Sequence, residues 1–125
     1  MTGALKLAGL SAGEIGYINT HGTGTVNNDE VESKSMIRIF DNVPPFVSSK
    51  SKIGHTLGAS AAIESVFSIL ALFHQEIYPS VNFDTAIEST GLKPVTKYEN
   101  RYYNNVMTNS FGFGGNCTSL IFSKI

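Results

Sequence analysis

The sequence has 125 residues, a net charge of −1, and 42% hydrophobic against 15% charged residues. That length suits one compact domain, and that balance is typical of a folded core and not of a disordered chain. Because no basic cluster is present, the composition favours neither nucleic acid nor an anionic membrane as a partner.

The single cysteine, Cys117, has no second thiol with which to form an internal disulfide, which favours a reducing, cytoplasmic setting. The apolar start of the chain is interrupted by Lys6 and lacks the charged region of a signal peptide. No segment offers the roughly 18 uninterrupted apolar residues of a membrane span. We therefore expect a cytoplasmic protein without membrane contact.

The first residues of the chain have the pattern of a helix C-terminus. Ala4–Leu10 predicts the last turns of a helix, which Gly9 and the turn at Ser11–Gly13 close. A helix this short is marginal by itself. We therefore expect the fold to include another half, on a preceding segment or on a separate chain.

The next segment predicts a strand followed by a helix. Ile15–Asn19 is a short apolar run, typical of a buried strand, and Thr20–Val26 predicts a loop. Asn27 and Glu30 have capping-box spacing, so we expect Asn27 to be the N-cap of a helix that runs to about Phe40. The apolar positions of this helix are Val31, Ile37 and Phe40.

The remainder of the chain predicts one long helix and three strands. Phe46–Ser49 predicts a short strand, and Thr56–His74 a helix that is apolar on nearly every side and therefore buried. Asp84–Asn105 is polar and predicts mostly loop. Val106–Phe111 and Thr118–Phe122 predict an antiparallel hairpin. This order of elements predicts an α/β fold with a mixed sheet.

Two histidines follow the predicted strands. His21 opens the loop His21–Thr25 (HGTGT), and His55 precedes the apolar helix. Ligands in α/β folds bind beyond strand ends, and two neutral imidazoles that converge there can donate hydrogen bonds to a developing oxyanion or enolate. The alternative is two unrelated histidines that bond only to local backbone.

A charged pair accompanies His55. Glu64 lies inside the apolar helix, where a carboxylate needs a partner, and Lys50 is the plausible one. Such a pair would set the electrostatics near His55. The alternative is a purely structural ion pair, because structural pairs also perturb local charge.

The glycine-rich segment Gly112–Gly115 precedes a strand, so it does not match a dinucleotide fingerprint, which opens a helix. We interpret it as a flexible turn whose N–H groups can face a ligand, with Phe113 as a movable apolar plug; the alternative is an ordinary hairpin turn. Cys117, at the start of that strand, predicts a small buried core residue and not a nucleophile. The histidines lack metal-ligand spacing, so we expect no metal site.

Three motifs together resemble one enzyme family. Tyr17–Thr25 (YINTHGTGT), Ser48–His55 (SSKSKIGH) and Asn109–Gly115 (NSFGFGG) resemble the elongating β-ketoacyl-acyl-carrier-protein synthases, the type I/II condensing enzymes of the thiolase-like fold. The resemblance implies that residues 1–125 form the C-terminal half of that fold, with a mixed sheet packed between helices.

The resemblance also implies roles for individual residues. His21 and His55 match the two catalytic histidines of the family, and Lys50 and Glu64 match the lysine and glutamate near the second histidine. Other matched positions are Thr23 and Thr25, which would line the phosphopantetheine arm, and Gly112, Phe113 and Gly114, which would form the gate and part of the oxyanion hole. The nucleophilic cysteine of the family belongs to its N-terminal half, so this chain alone is not expected to catalyse the reaction of the family.

The implied reaction is a decarboxylative Claisen condensation of an acyl thioester with malonyl-acyl-carrier protein, in fatty acid or polyketide biosynthesis. It needs no bound cofactor, because the substrate is carried on the phosphopantetheine of acyl carrier protein. The implied partners are acyl carrier protein and an N-terminal ketosynthase half or partner chain. A homo- or hetero-oligomer is expected, with an exposed apolar face on this part.

Three other readings compete with this one. A non-catalytic partner subunit, like the chain-length factors that pair with ketosynthases, would resemble the enzyme but tend to lose catalytic residues; His21 and His55 are both retained. A thiolase or an initiating ketosynthase is disfavoured by the second histidine and by the setting of Cys117. A stand-alone module that binds acyl carrier protein remains compatible with the sequence.

Overall fold

The computed structural model describes all 125 residues. The α-helices are α1 (Thr2–Ala8), α2 (Val26–Ile39), α3 (Lys50–Ile53) and α4 (Ser60–His74). The strands are β1 (Tyr17–Asn19), β2 (Phe46–Val47), β3 (Glu76–Ile77), β4 (Glu99–Asn100), β5 (Asn105–Phe111) and β6 (Cys117–Ser123). One-turn 3₁₀ helices lie at Ala12–Glu14 and Leu57–Ala59.

The main sheet is mixed, as predicted. Its four strands lie in the order β2-β1-β5-β6, and β1 is parallel to both β2 and β5 while β5 and β6 are antiparallel. In register, Asn19 lies between Val47 and Thr108. Because parallel strands end at the same edge of a sheet, the segments that follow β1, β2 and β5 meet there. The two-residue strands β3 and β4 form a separate antiparallel ladder, which the sequence analysis did not predict.

Helices cover both faces of the sheet. Neighbouring residues of a strand point to opposite faces, so Tyr17 and Ile18 belong to different hydrophobic clusters. The cluster on one face includes Ala71 and Leu72 of α4, and the cluster on the other includes Leu5 of α1 with residues of α2. This is the predicted arrangement of a sheet between helices.

Helix α2 differs from its prediction at its start and on its buried face. Its N-cap is Thr25, not Asn27, so the predicted capping box of Asn27 and Glu30 does not form. Val31 is 64% exposed and Ile37 is also exposed. The residues that α2 buries are Glu32, Ser33, Met36 and, just past its end, Phe40. The carboxylate of Glu32 can be buried here because two backbone N–H groups and one side-chain amide donate hydrogen bonds to it.

Helix α4 packs one face against the sheet and leaves the other open. Val66, Ile69 and Leu70 are exposed, and Phe73 is 74% exposed, so the prediction of a fully buried helix is wrong for this chain. The expectation of an exposed apolar face is confirmed by the same residues. By length and composition Leu57–His74 could also cross a membrane, which corrects the expectation that no such segment exists. In the fold, one face of this helix packs against the sheet, with Ala71 and Leu72 in the core.

The C-terminal hairpin forms as predicted, with seven residues in each strand. Cys117 at its start is exposed, so the prediction of a buried core cysteine is wrong. The reason is the position of β6 at the edge of the sheet, where most of its side chains keep contact with solvent.

Candidate active site

The sheet edge beyond β1 and β2 brings the predicted site residues together. The N–H of Thr20 donates to the carbonyl of Val47 at 2.8 Å, which extends the β1–β2 pairing into the loops. The Oδ1 atom of buried Asn19 accepts from the N–H and the hydroxyl of Ser49, at 3.2 and 3.1 Å. The loop that carries His21 is therefore fixed against the segment that carries Lys50.

His21 is 6% exposed, and its backbone is held by a carboxylate of α2. The N–H groups of His21 and Gly22 donate to the two oxygens of Glu32, each at 2.9 Å. Asn109 of β5 adds a third donor at 3.0 Å. Sequence reasoning missed Glu32, although it lies one helical turn from Met36 and therefore on the same face of α2.

Lys50 and Glu64 form the predicted ion pair, and both side chains are buried. Removing two charges from water is costly, so further hydrogen bonds are needed to satisfy the carboxylate. The hydroxyls of Ser60 and Ser110 donate to Glu64 at 3.0 and 3.4 Å. Lys50 Nζ also lies 3.4 Å from His21 Nδ1, which joins the ion pair directly to the first histidine.

The two predicted histidines converge. The ring centroids of His21 and His55 are 5.5 Å apart in an edge-on arrangement, and the ring of Phe111 lies 5.4 Å from His21. His55 is exposed, and its Nδ1 accepts the N–H of Leu57 at 3.0 Å. Because Nδ1 of each histidine faces a donor, these partners assign the proton of each neutral ring to Nε2.

Electrostatics keep His21 uncharged. Burial, the positive charge of Lys50 and the neighbouring His55 lower the pKa of His21 to about 4, against a smaller opposing effect of Asp29. Burial raises the pKa of Glu32, although the hydrogen bonds from the backbone of Gly22 and His21 and from Asn109 act in the opposite direction. At neutral pH the site therefore presents a neutral imidazole as a hydrogen-bond donor.

The other predicted residues lie at the rim. Thr23 is half-buried and Thr25 is exposed, and their hydroxyls lie 2.8 Å apart. In the glycine turn, defined as Gly112–Gly115 between β5 and β6, Phe113 is fully exposed and Gly114 and Gly115 have φ of 83° and 85°. The turn follows β5 at the same sheet edge as the histidines. A cavity of about 330 Å³ lies nearby, between α2 and residues 80–94, with Glu32, Ser48 and Lys50 in its wall.

Comparison with known proteins identifies the family to which this fold belongs. The family model described as beta-ketoacyl synthase, C-terminal domain, matches residues 1–84. The 3-oxoacyl-[acyl-carrier-protein] synthase 1 of Haemophilus influenzae is 42% identical over 114 residues, which cover 88% of this chain and 28% of that protein. The chain belongs to the β-ketoacyl synthase family, within its C-terminal domain.

Solved structures confirm the predicted fold. A β-ketoacyl synthase from Burkholderia phymatum superposes with a TM-score of 0.95 at 36% identity, over 100% of this chain and 31% of that one. A ketosynthase from Xenorhabdus doucetiae, solved in complex with its chain length factor, gives 0.88 at 41% identity, over 100% and 32%. The chain thus spans less than a third of the length of these proteins.

Proposed function

We propose that this chain supplies the histidine-bearing part of the active site of a 3-oxoacyl-[acyl-carrier-protein] synthase. The observation that carries the proposal is the pair of imidazoles, 5.5 Å apart, whose Nδ1 atoms are both engaged so that both Nε2–H groups are available as donors. Two such donors suit one developing thioester oxyanion. The relatives named above, which are β-ketoacyl synthases, support the same reaction class.

The reaction begins with acyl transfer to a cysteine that residues outside this chain would supply. Its thiolate attacks the acyl thioester and the carrier thiol leaves. The malonyl thioester then loses carbon dioxide, and the electron pair of the broken carbon–carbon bond passes into an enolate. His21 and His55 stabilise the enolate oxygen. The enolate carbon attacks the acyl-cysteine, and the cysteine thiolate leaves as the new carbon–carbon bond forms.

The remaining site residues support these steps. Burial and the positive charge of Lys50, which pairs with Glu64, together lower the pKa of His21, so its ring stays neutral and can donate a hydrogen bond. The hydroxyls of Thr23 and Thr25 lie at the rim, where a phosphopantetheine arm would pass. Phe113 and its flanking glycines form a gate over the acyl-cysteine.

The same proposal names partners and setting. Acyl carrier protein delivers both substrates on its phosphopantetheine, so the reaction needs no bound cofactor or metal. The exposed apolar face of α4 packs against the cysteine-bearing half or a partner chain, in a homo- or hetero-oligomer. The protein works in the cytoplasm without nucleic acid or membrane.

The test is a condensation assay with acyl- and malonyl-carrier protein, using the protein that joins this sequence to a cysteine-bearing ketosynthase half. We expect His21→Ala and His55→Ala each to lower product formation by about a hundredfold or more, the typical cost of losing an oxyanion donor. His74→Ala, at the exposed end of α4, is the matched control and should retain activity. Bound carrier protein without product from the unmutated protein would instead indicate a non-catalytic, chain-length-factor-like subunit.

A further inference from the structure

We propose that Ser48 is a positioning residue for His21. Its hydroxyl restrains the loop that carries His21 by donating a hydrogen bond to the carbonyl of Gly22. The expected effect of Ser48 on kcat rests on the proposed function, whereas the hydrogen-bond geometry of Ser48 does not depend on it. Ser48 directly follows β2, and its Oγ donates to Gly22 O at 2.6 Å. It is not one of the residues expected to touch substrate.

The side chain of Ser48 lies directly against the backbone of Gly22. Gly22 has a φ of +38°, and a Cβ added there would lie 2.6 Å from the Cβ of Ser48. Only a residue without a side chain fits between the two segments at this separation. The hydroxyl of Ser48 therefore has a fixed and very close target.

The loop that carries His21 is consequently held from two directions. Glu32 accepts the N–H groups of His21 and Gly22, each at 2.9 Å, from the side of α2. Ser48 binds the Gly22 carbonyl from the side of β2. A residue restrained at both its donor and its acceptor cannot easily rotate, so the Cα of the adjacent His21 is restrained as well.

Ser48 is itself anchored. Its N–H donates to the hydroxyl of buried Ser80 at 3.1 Å, and the N–H of Ser80 donates to Val95 O at 2.8 Å. Lys50 lies two residues further along, in the same segment. The hydrogen bond from Ser48 therefore fixes the His21 loop relative to Lys50, and the separation of 3.4 Å between Lys50 Nζ and His21 Nδ1 depends on that register.

The experiment uses the full condensing enzyme that contains this sequence and three variants. Ser48→Ala removes the hydroxyl, and Ser48→Thr retains it. Ser51→Ala is the matched control, because the Ser51 hydroxyl accepts the N–H of Val81 at 3.1 Å in the same segment without reaching the His21 loop. We expect Ser48→Ala to lower kcat about tenfold with KM unchanged, since small misplacements of reacting groups are costly. Ser48→Thr and Ser51→Ala should stay within about twofold of the parent.

A second measurement follows His21 without turnover. Histidine-labelled enzyme is titrated by NMR, and the pKa of His21 is compared among the variants. The ionisable groups around the ring are Lys50, His55, Asp29, Glu32 and Glu64. We expect Ser48→Ala alone to move the pKa of His21 upward from about 4, because the ring would turn away from Lys50 and towards water.

Two results would overturn the inference. One is a His21 titration in Ser48→Ala that matches Ser51→Ala, even if both variants melt at a lower temperature, because Ser48 would then be merely structural. The other is an unchanged kcat in an enzyme that turns over. If the parent enzyme makes no product, the proposed function fails, and the titration alone decides the role of Ser48.

Discussion

The histidine site and the glycine turn lie at the same sheet edge but differ in how firmly this chain holds them. In the histidine site, defined as His21, Glu32, Lys50, His55 and Glu64, the side chains come from four separate segments and four of the five are buried. Lys50 contacts both His21 and Glu64, and Glu32 accepts the backbone N–H of His21. In the glycine turn, Phe113 is fully exposed, and only the pairing of Gly112 N–H with Asn116 O at 2.8 Å closes the loop.

Under the proposed function, this difference matches two requirements of a catalytic site. Groups that stabilise developing charge work best when they are already in place, because reorganisation during the reaction costs free energy. A gate must be able to move, and it is drawn from the least stable part of a fold. Side-chain truncations should therefore destabilise the protein when they fall in the histidine site and leave its stability almost unchanged at Phe113 in the glycine turn.

The largest effect is expected from breaking the buried ion pair. Lys50→Ala leaves the Glu64 carboxylate buried without its counter-charge, and we expect a loss of about 3–5 kcal/mol in the free energy of unfolding. The control is Lys34→Ala, which removes an exposed pair with Glu30 and should cost less than about 1 kcal/mol. Denaturant unfolding compares the two, and equal losses would contradict the contrast between buried and surface pairs.

A smaller loss is expected from filling the space at Gly22. In Gly22→Ala the new methyl group would overlap Ser48 and Thr20, at 2.6 and 2.8 Å, with φ at +38°. We expect this substitution to cost about 3 kcal/mol. Gly24→Ala also has positive φ, at +76°, but meets open space, so it should cost only about 1 kcal/mol. If Gly24→Ala lowers the free energy of unfolding more than Gly22→Ala does, the close contact between Gly22 and Ser48 is wrong.

The sequence predicted the elements whose signals are local. Strands β5 and β6 were found because each carries a seven-residue pattern with a glycine-rich connection. The two-residue strands β3 and β4 were missed because such short pairings depend on tertiary contact and not on pattern. The burial of Cys117 was misjudged for a related reason, since strand order decides which strand becomes an edge.

For the site, the sequence identified the residues that converge but not what holds them. The Lys50–Glu64 pair was predictable from physical chemistry, because a carboxylate in an apolar helix needs a counter-charge. The role of Thr23 came only from family resemblance, whereas the glycine-rich pattern had already indicated Phe113 as a movable plug. Glu32 was missed because a glutamate in an amphipathic helix is usually solvated, and only the three-dimensional position of the His21 and Gly22 N–H groups gives it a buried purpose.

The histidine site should also make stability depend on pH. An unfolded imidazole binds its proton near pH 6.5, whereas the pKa of folded His21 is about 4, so between these values protons favour the unfolded chain. This contribution to stability is complete above pH 6.5 and is lost as the pH falls towards 4. From pH 7 to pH 5 the loss from this one group is about 2 kcal/mol.

The measurement compares unfolding free energies of the parent and of His21→Gln at both pH values. Between pH 7 and pH 5 the free energy of unfolding of His21→Gln should fall by about 2 kcal/mol less than that of the parent. Contributions from other groups, including Glu32 with its raised pKa, are common to both proteins. His74→Gln retains His21 and should decline like the parent. Identical slopes for the parent and His21→Gln would show that His21 is not held neutral by the fold.

The smallest effect on stability is expected in the glycine turn. Phe113→Ala removes a side chain that is fully exposed, so the free energy of unfolding should change by less than about 0.5 kcal/mol. Under the proposed function, the same substitution lowers condensation activity, because the gate over the acyl-cysteine loses its apolar plug. A marked loss of stability would instead show that Phe113 is packed and that the contrast between the two regions is smaller than described.

Glu64 should also affect whether the newly synthesised chain is inserted into a membrane. Residues Leu57–His74 have the length and composition of a membrane anchor, and Glu64 lies near the middle of that stretch. An acidic side chain at the centre of a bilayer costs about 3 kcal/mol on insertion scales, enough to tip a borderline segment away from the translocon. We therefore expect the carboxylate that pairs with Lys50 in the folded protein to disfavour insertion of the nascent helix into lipid. We expect Glu64→Leu to appear in the membrane fraction of expressing cells, whereas Glu64→Gln should remain mostly outside it.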